Sequence, residues 1–356
     1  MEKKIMRAAR LHQIGQFQVD SVAIPVPEKN QLLVRIGACG ICGSDIPRVY
    51  QHGTSNQKYP LTLGHEFSGT IVAVGEDADP SLIGRRGAFF PLIPCRECDP
   101  CLAGHYAMCE HYDYMGSRRD GGFAEYCLVP SSWHFIESHN PDISFEELAM
   151  LEPACVAQHA IRKGDVFVGA NVVIFGAGPI GIMAGRWAKM SGANVIMVDV
   201  VDSKVAFANK CGFSALNSTK PGFIDAIKAA FNGQLADVAI EGTGFGSALE
   251  NCIYCVKSFG RIVLVGNPAG NTQISQSAHS QLLRKEVTIS SIWNSHFGNS
   301  PINEWKYTVE MLDNGKFTCG DLISHRVGIQ NIPALFDGIK NHTISICKAL
   351  YVSALD

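Results

Sequence analysis

The apolar and polar positions of the chain keep one rhythm to about residue 150 and another from about residue 171. Gln31-Leu-Leu-Val-Arg-Ile-Gly37 alternates as a half-buried strand does. Gly64, Gly69, Gly75, Gly84 and Gly87 cut the runs that follow into short segments, the texture of a compact barrel of short strands. From Asn171 the pattern predicts a strand over 172–175, a Gly-rich turn, a helix over 180–190 and a strand over 195–198. A helix over 204–211, a strand over 238–240, a helix over 247–256 and a strand over 262–265 continue it, the order of a parallel sheet with crossover helices. After about Trp293 the rhythm breaks. A helix over 303–313 and an apolar strand over 345–352 follow, and periodicity leaves open whether this tail returns to the first half.

Length and composition narrow the reading. A chain of 356 residues is expected to form about two domains. With 46% hydrophobic and 18% charged residues it has ample material for a core, which excludes wholesale disorder. Thirty basic against 33 acidic side chains leave a net charge of −3, too balanced for a nucleic-acid partner. No apolar run approaches the ~20 residues that cross a bilayer, and the start lacks the apolar segment of a secretory signal, so no membrane association and a cytoplasmic location are expected. Thirteen cysteines, an odd number in a long chain, are read as reduced thiols, several of them in metal spacing.

Cys95, Cys98, Cys101 and Cys109 form Cys-x-x-Cys-x-x-Cys followed, after seven residues, by a fourth Cys. Two-residue gaps let a tight loop turn successive thiolates toward one tetrahedral zinc, and four sulfurs leave no open position, so this site should fold a lobe without doing chemistry. A four-thiolate iron–sulfur cluster is the alternative that the same spacing allows. Three other segments carry the mixed donors of a catalytic metal: Cys39-Gly-Ile-Cys42-Gly-Ser-Asp45, Gly64-His65-Glu66 and Leu151-Glu152-Pro153. Each alone is a weak signal.

Cys42-Gly-Ser-Asp45, Gly64-His65-Glu66-Phe67-Ser68-Gly69, the four-cysteine lobe and Asp120-Gly-Gly-Phe-Ala-Glu-Tyr126 together, in this order and spacing, resemble the zinc-containing medium-chain dehydrogenase family over nearly the whole chain. The resemblance implies an α/β protein with a mostly β, GroES-like barrel catalytic domain over 1–156, completed by 294–356. A doubly wound Rossmann domain would occupy 157–293, with the chemistry in the cleft between the two and a homodimer or homotetramer as the assembly. Carried onto matching positions, it makes Cys42, His65 and Glu152 the catalytic zinc ligands, Glu66 a carboxylate at the metal or just behind it, and Asp45 the acceptor that orients His65 through its other ring N–H. Two zinc ions per chain follow. A carboxylate at 152, where several members have Cys, resembles the polyol dehydrogenase branch.

The physical logic stands beside the resemblance. One thiolate and one carboxylate neutralise Zn²⁺, and three protein ligands leave a fourth position for water or a substrate hydroxyl, which the metal acidifies. Ser44, two residues after Cys42, is placed to take the proton. Many relatives continue that relay through a His where this chain has Pro47, so beyond Ser44 the proton would pass to solvent or a cofactor ribose hydroxyl.

Gly176-Ala-Gly178-Pro179-Ile180-Gly181 has the Gly-x-Gly-x-x-Gly spacing directly after an apolar strand and before a helix. Gly176 permits the tight turn, Gly178 lets backbone reach a pyrophosphate, and Gly181 lets helix pack on strand, while the helix N-terminus attracts the phosphates. Asp199 closes the next strand, where a carboxylate accepts from the adenosine ribose 2′-OH and repels a 2′-phosphate, so NAD is expected over NADP. Thr243-Gly244 and Val265-Gly266 follow later strands, where ligands of open α/β sheets gather; ordinary strand-to-helix turns are the plainer reading.

Hydride transfer between a secondary alcohol and a ketone is thereby implied, but not the alcohol. The runs Cys42–Arg48, Tyr59–Gly69, Pro91–Cys95 and Gly116–Tyr126 exceed the general family signature and resemble the branch that oxidises galactitol 1-phosphate to a tagatose 6-phosphate type of product. A phosphate would need charge-assisted donors such as Arg48 or Arg118, or backbone near Ser117, and Trp293 would wall the substrate site. The alternatives are a free polyol, a vicinal diol or threonine as substrate, and a catalytically silent NAD-binding redox sensor. The intact set Cys42, Ser44, His65 and Glu152 argues against the last.

Overall fold

The computed structural model describes residues 4–268, 270–299 and 301–356; the first three residues, on which part of the leader expectation rests, lie outside it. The chain divides into two units, Met1–Glu152 with His296–Asp356, and Pro153–Ser295.

In the first unit, Ile5–Gln13 pairs antiparallel with Gln16–Ala23 and with Leu61–Thr62. A seven-stranded sheet runs Phe135–Glu137, Arg86–Phe89, Glu66–Val74, Leu32–Gly40, Lys348–Val352, Ile323–Val327, and Tyr126–Val129 also pairs with Leu32–Gly40. The tail therefore does return: Leu350 lies opposite Gly40 and Tyr351 opposite Cys39. Leu32–Gly40 was expected to be half-buried, yet all of it except Arg35 is buried. The reason is the short helix Phe145–Ala149. Its Phe145 ring occupies the place of a side chain at Gly37, where a Cβ would lie 2.2 Å from the ring. Val34, Ile36, Phe67, Ile71, Phe123 and Phe336 form the heart of this core.

The second unit is a six-stranded, all-parallel sheet in the order Ser214–Asn217, Asn194–Asp199, Asn171–Phe175, Ala236–Glu241, Val256–Leu264, Thr288–Ser291. Numbered in sequence this is 3-2-1-4-5-6, the doubly wound arrangement whose ligands gather at the carboxyl ends of the strands. Asn171–Phe175 is buried along its length, as a central parallel strand covered on both faces must be. Ser214–Asn217 and Thr288–Ser291, which the apolar pattern did not reveal, are the two edges, where burial on both faces is not required. The helix expected over 247–256 is Gly246–Cys255. It stops because Val256 enters the next strand, and the Lys285 ammonium donates to the carbonyls of Ile253, Tyr254 and Val256 at 3.0, 3.2 and 2.9 Å. Among the described residues no helix is long and apolar enough to cross a membrane.

Two glycines face each other across the seven-stranded sheet, Gly69 opposite Gly87. A Cβ on Gly69 would sit 2.2 Å from the Arg35 carbonyl oxygen, and one on Gly87 2.0 Å from that of Ile136. Backbone cannot step aside without loosening the ladder. Gly69→Ala is expected to destabilise the first unit by about 2–3 kcal/mol, read as a lowered urea midpoint of its unfolding transition; an unchanged midpoint contradicts the close packing.

Candidate metal centre and cofactor turn

The first candidate centre is built by the ends of neighbouring strands. Cys42 follows Leu32–Gly40, and its N–H donates to Asp45 Oδ2 at 3.0 Å. Asp45, fully buried, has its other oxygen 3.1 Å from Arg48 Nη1 and 3.6 Å from His65 Nδ1. Ser44 Oγ donates to Cys42 Sγ at 3.3 Å. The chain reaches His65 through Gly64 at φ 92°, where any side chain would meet Cys39 Sγ at 2.7 Å. Glu66 then opens the strand Glu66–Val74 directly opposite Gly40.

One donor atom from each of Cys42, His65 and Glu66 lies within 4.8 Å of the others. Glu152 opens the helix Leu151–Lys163 and is buried near His65 and Glu66, but it does not join that 4.8 Å set. The Tyr114 hydroxyl favours the charged form of Glu152, and the Tyr114 ring meets His65 edge-on at 5.7 Å.

Electrostatics couples these groups. Burial alone would raise Asp45, but His65 and Arg48 outweigh it and hold the carboxyl below its ordinary value. Burial would likewise lower His65; Asp45 and Cys42 outweigh it and raise the imidazole. Glu152 is pushed up to about 7, chiefly by burial and also by Glu66, against the opposing pull of His65, Lys348 and Tyr114. Lys348, first residue of the strand Lys348–Val352, pairs with Glu66 Oε2. Burial would lower its pKa, yet Glu66 and Cys42 raise it, so the ammonium stays charged.

These pairings decide whether a metal fits. Asp45 is matched by Arg48 and Glu66 by Lys348. The sulfur of half-buried Cys42 and the buried carboxyl of Glu152, pushed up to about 7, take part in neither ion pair. A dication at the centre would favour the deprotonated forms of both and use them as donors. With Nδ1 facing Asp45, the Nε2 nitrogen of His65 is left to bind it, and thiolate, imidazole and carboxylate together are a zinc donor set.

The second candidate centre needs only sulfur. Donor atoms of Cys95, Cys98, Cys101 and Cys109 lie within 4.8 Å of one another. The loop turns through Arg96 at φ 67°, and N–H groups of Cys95 and Cys98 donate to Cys109 Sγ at 3.2 Å and Cys95 Sγ at 3.4 Å. Backbone N–H donors of Glu97 and Cys98 draw Cys95 down to about 6, so one thiolate is formed readily near neutral pH. The Arg96 guanidinium stacks 4.6 Å over Trp133, which Tyr106 meets edge-on, and so ties the lobe to an aromatic cluster. No disulfide joins any two of the thirteen cysteines, all of which lie among the described residues.

In the second unit, Gly176 has φ 103°, and a Cβ on Gly181 would lie 1.9 Å from the Gly176 carbonyl oxygen. Gly178 precedes the helix Pro179–Met190, in which Pro179 and Ile180 are the first two residues, and nothing would lie within 4 Å of a Cβ there. That open approach is what a pyrophosphate requires. Asp199 accepts from the N–H groups of Ala177 at 2.8 Å and Val201 at 3.0 Å, one on each oxygen, which fixes the carboxylate plane. Thr243 and Gly244 wrap around the Glu241 side chain, which accepts from both N–H groups and from Thr243 Oγ1. Val265 and Gly266 donate to the Glu241 carbonyl at 2.8 and 3.0 Å, so the two turns interlock.

The substrate candidates are scattered. Arg48 is engaged by Asp45. Arg118 donates to the Tyr112 carbonyl and stacks 4.0 Å over its ring, and it lines a cavity of about 440 Å³ with Arg10, Lys58, Arg119 and Asp120 that includes no side chain of the metal group. Trp293 belongs to the other unit and is 47% exposed. Sequence reasoning missed Lys348, Tyr114 and Glu241. For Lys348 a signal existed: it is the one charge inside an otherwise apolar closing strand.

Comparison with known proteins gives two matches to described families: residues 28–138 match the alcohol dehydrogenase GroES-like domain, and residues 179–314 match zinc-binding dehydrogenase. Galactitol 1-phosphate 5-dehydrogenase of Escherichia coli (strain K12) is 34% identical over 312 residues, 86% of this chain and 88% of the other. Sorbitol dehydrogenase of Bacillus subtilis (strain 168) is 32% identical over 273 residues, 75% and 76% of the two chains. Among solved structures, a zinc-binding dehydrogenase from Sinorhizobium meliloti 1021 bound to NADP superposes with a TM-score of 0.89 at 27% identity, covering 98% of this chain and all of the other.

The two centres should be separable. Cys101→Ser is expected to remove one metal equivalent per chain and shift the Trp133 fluorescence, while the metal at Cys42 and His65 is retained; the observable is metal stoichiometry by elemental analysis. Colourless protein with zinc confirms the four-thiolate assignment, and a brown protein with iron replaces it by the cluster.

Proposed function

The chain belongs to the zinc-containing medium-chain alcohol dehydrogenase family, and on that premise we propose that it oxidises a secondary hydroxyl of a sugar-alcohol phosphate, of the galactitol 1-phosphate type, with NAD⁺ as hydride acceptor. Membership makes it an oxidoreductase of the zinc-type alcohol and polyol dehydrogenases. The observation that supports the metal-dependent part of this reading is the Cys42–His65–Glu66 cluster, whose donor atoms lie within 4.8 Å of one another, with Glu152 buried nearby. We assign one zinc there and a second to Cys95, Cys98, Cys101 and Cys109.

Bound zinc would supply Lewis acidity at the substrate hydroxyl, and bound nicotinamide a hydride acceptor. The chain supplies the rest. Asp45 fixes the imidazole of His65 from behind. Ser44, whose hydroxyl lies 3.3 Å from Cys42 Sγ, takes the substrate proton. Pro47 offers no onward carrier, so the proton leaves by solvent or a ribose hydroxyl of the cofactor. In the other unit, the turn from Gly176 to Gly181 receives the pyrophosphate, with Thr243, Val265 and Gly266 at neighbouring strand ends. Asp199, pre-oriented by two backbone N–H groups, receives the ribose hydroxyls and disfavours a 2′-phosphate. The exposed edge strand Thr288–Ser291 supports pairing across a homodimer or homotetramer.

Arg118 is the candidate donor to the phosphate, through the guanidinium nitrogens that the Tyr112 carbonyl does not engage, although the cavity it lines includes no side chain of the metal group. A second reading, a free polyol or vicinal diol, is favoured by the commitment of Arg48 to Asp45.

Galactitol 1-phosphate is expected to exceed galactitol, sorbitol and xylitol in kcat/KM by about 10- to 100-fold, the worth of one charge-assisted hydrogen bond; equal or better values on the unphosphorylated polyols select the second reading. Asp199→Ala is expected to raise KM for NAD⁺ about tenfold while KM for NADP⁺ falls. Wild-type protein that already turns over both cofactors equally removes Asp199 from this role.

A further inference from the structure

Lys348 is 5% exposed and its partner Glu66 1% exposed. Desolvation cancels most of the attraction in a buried ion pair, so such a pair is a weak source of stability. Its place is specific. Lys348 opens the strand whose Leu350 lies opposite Gly40, and Glu66 is the residue opposite Gly40 on the other side. Gly40 leaves room for the pair: a Cβ there would lie 2.0 Å from Glu66 Oε2 and 3.1 Å from Lys348 Cε. Backbone register thus delivers one ammonium to one oxygen of one of the two carboxylates beside Cys42 and His65. The other carboxylate, Glu152, is buried at the start of the helix Leu151–Lys163 and has no part in that ion pair.

We propose that Lys348 is a positioning residue that sets the competition between Glu66 and Glu152 for the metal, keeping Glu66 to at most one donor oxygen so that a coordination position stays open for the substrate hydroxyl. This rests on the zinc reading above. The ammonium occupies Oε2 of Glu66 and draws charge from the whole carboxylate, which leaves Glu152 the stronger donor. Without the ammonium, Glu66 has both oxygens and its full charge available, and the metal is held too completely.

The test uses full-length protein loaded with zinc, or with Co²⁺ in its place, in wild type, Lys348→Met, Lys348→Arg and the double variant Lys348→Met with Glu66→Gln. In Lys348→Met, metal release from the Cys42 group to a chelator is expected to slow, against the roughly 10- to 100-fold loss of metal affinity that removing a supporting residue ordinarily causes. The visible Co²⁺ bands should weaken as coordination number rises, and kcat should fall. Lys348→Arg restores the wild-type spectrum, and Glu66→Gln cancels the slowing, because Lys348 acts through Glu66. Unchanged or faster release in Lys348→Met overturns the proposal, since a merely structural lysine predicts a looser metal. If Lys348→Met does not fold, Lys348→Gln carries the same comparison. Wild-type protein that takes up no metal at Cys42 and His65 overturns the zinc reading itself, and this inference with it.

Discussion

The placement of the strand Leu32–Gly40 between Glu66–Val74 and Lys348–Val352 is the constraint on which the candidate centre depends. Side-chain direction in a sheet alternates, so a slip of one residue on either side would turn Glu66 or Lys348 to the opposite face. The register is pinned by Gly69 and Gly87, which admit no side chain, and by Phe145, which fills the space over Gly37. Three stretches far apart in sequence therefore bring a thiol, a carboxylate and an ammonium to one end of one strand.

That convergence has an electrostatic cost which the chain meets in pairs. Asp45 takes Arg48 and Glu66 takes Lys348. Cys42, His65 and Glu152 lie outside those pairs and are the donors a divalent ion would draw on. The four-cysteine lobe works by different means: a short loop, N–H donors aimed at sulfur, and a guanidinium stacked on Trp133. Its geometry is local, and local spacing was enough to reveal it.

This contrast explains what was legible in the sequence. The glycine turn, its flanking strand and helix, and the run Cys95–Cys109 all lie within short segments, where spacing and periodicity report geometry directly. The strand after Asn171 and the helix after Pro179 appear where the pattern placed them. The edge strands Ser214–Asn217 and Thr288–Ser291 escaped notice because polar residues suffice at an edge. Lys348 and Tyr114 escaped it for another reason: their significance arises from a partner hundreds of residues away for one, and from a helix start at Glu152 for the other. Glu241 was read as the end of a strand, although its side chain organises the turn that follows.

The closing strand also orders events in time. A ribosome delivers the thiol, the imidazole and both carboxylates long before it delivers residue 348, so the growing polypeptide carries an unbalanced acidic cluster beside an unzipped edge. The sheet closes over that cluster only through the strand Lys348–Val352, so a polypeptide cut short before residue 348 would carry Glu66 without its basic counterweight.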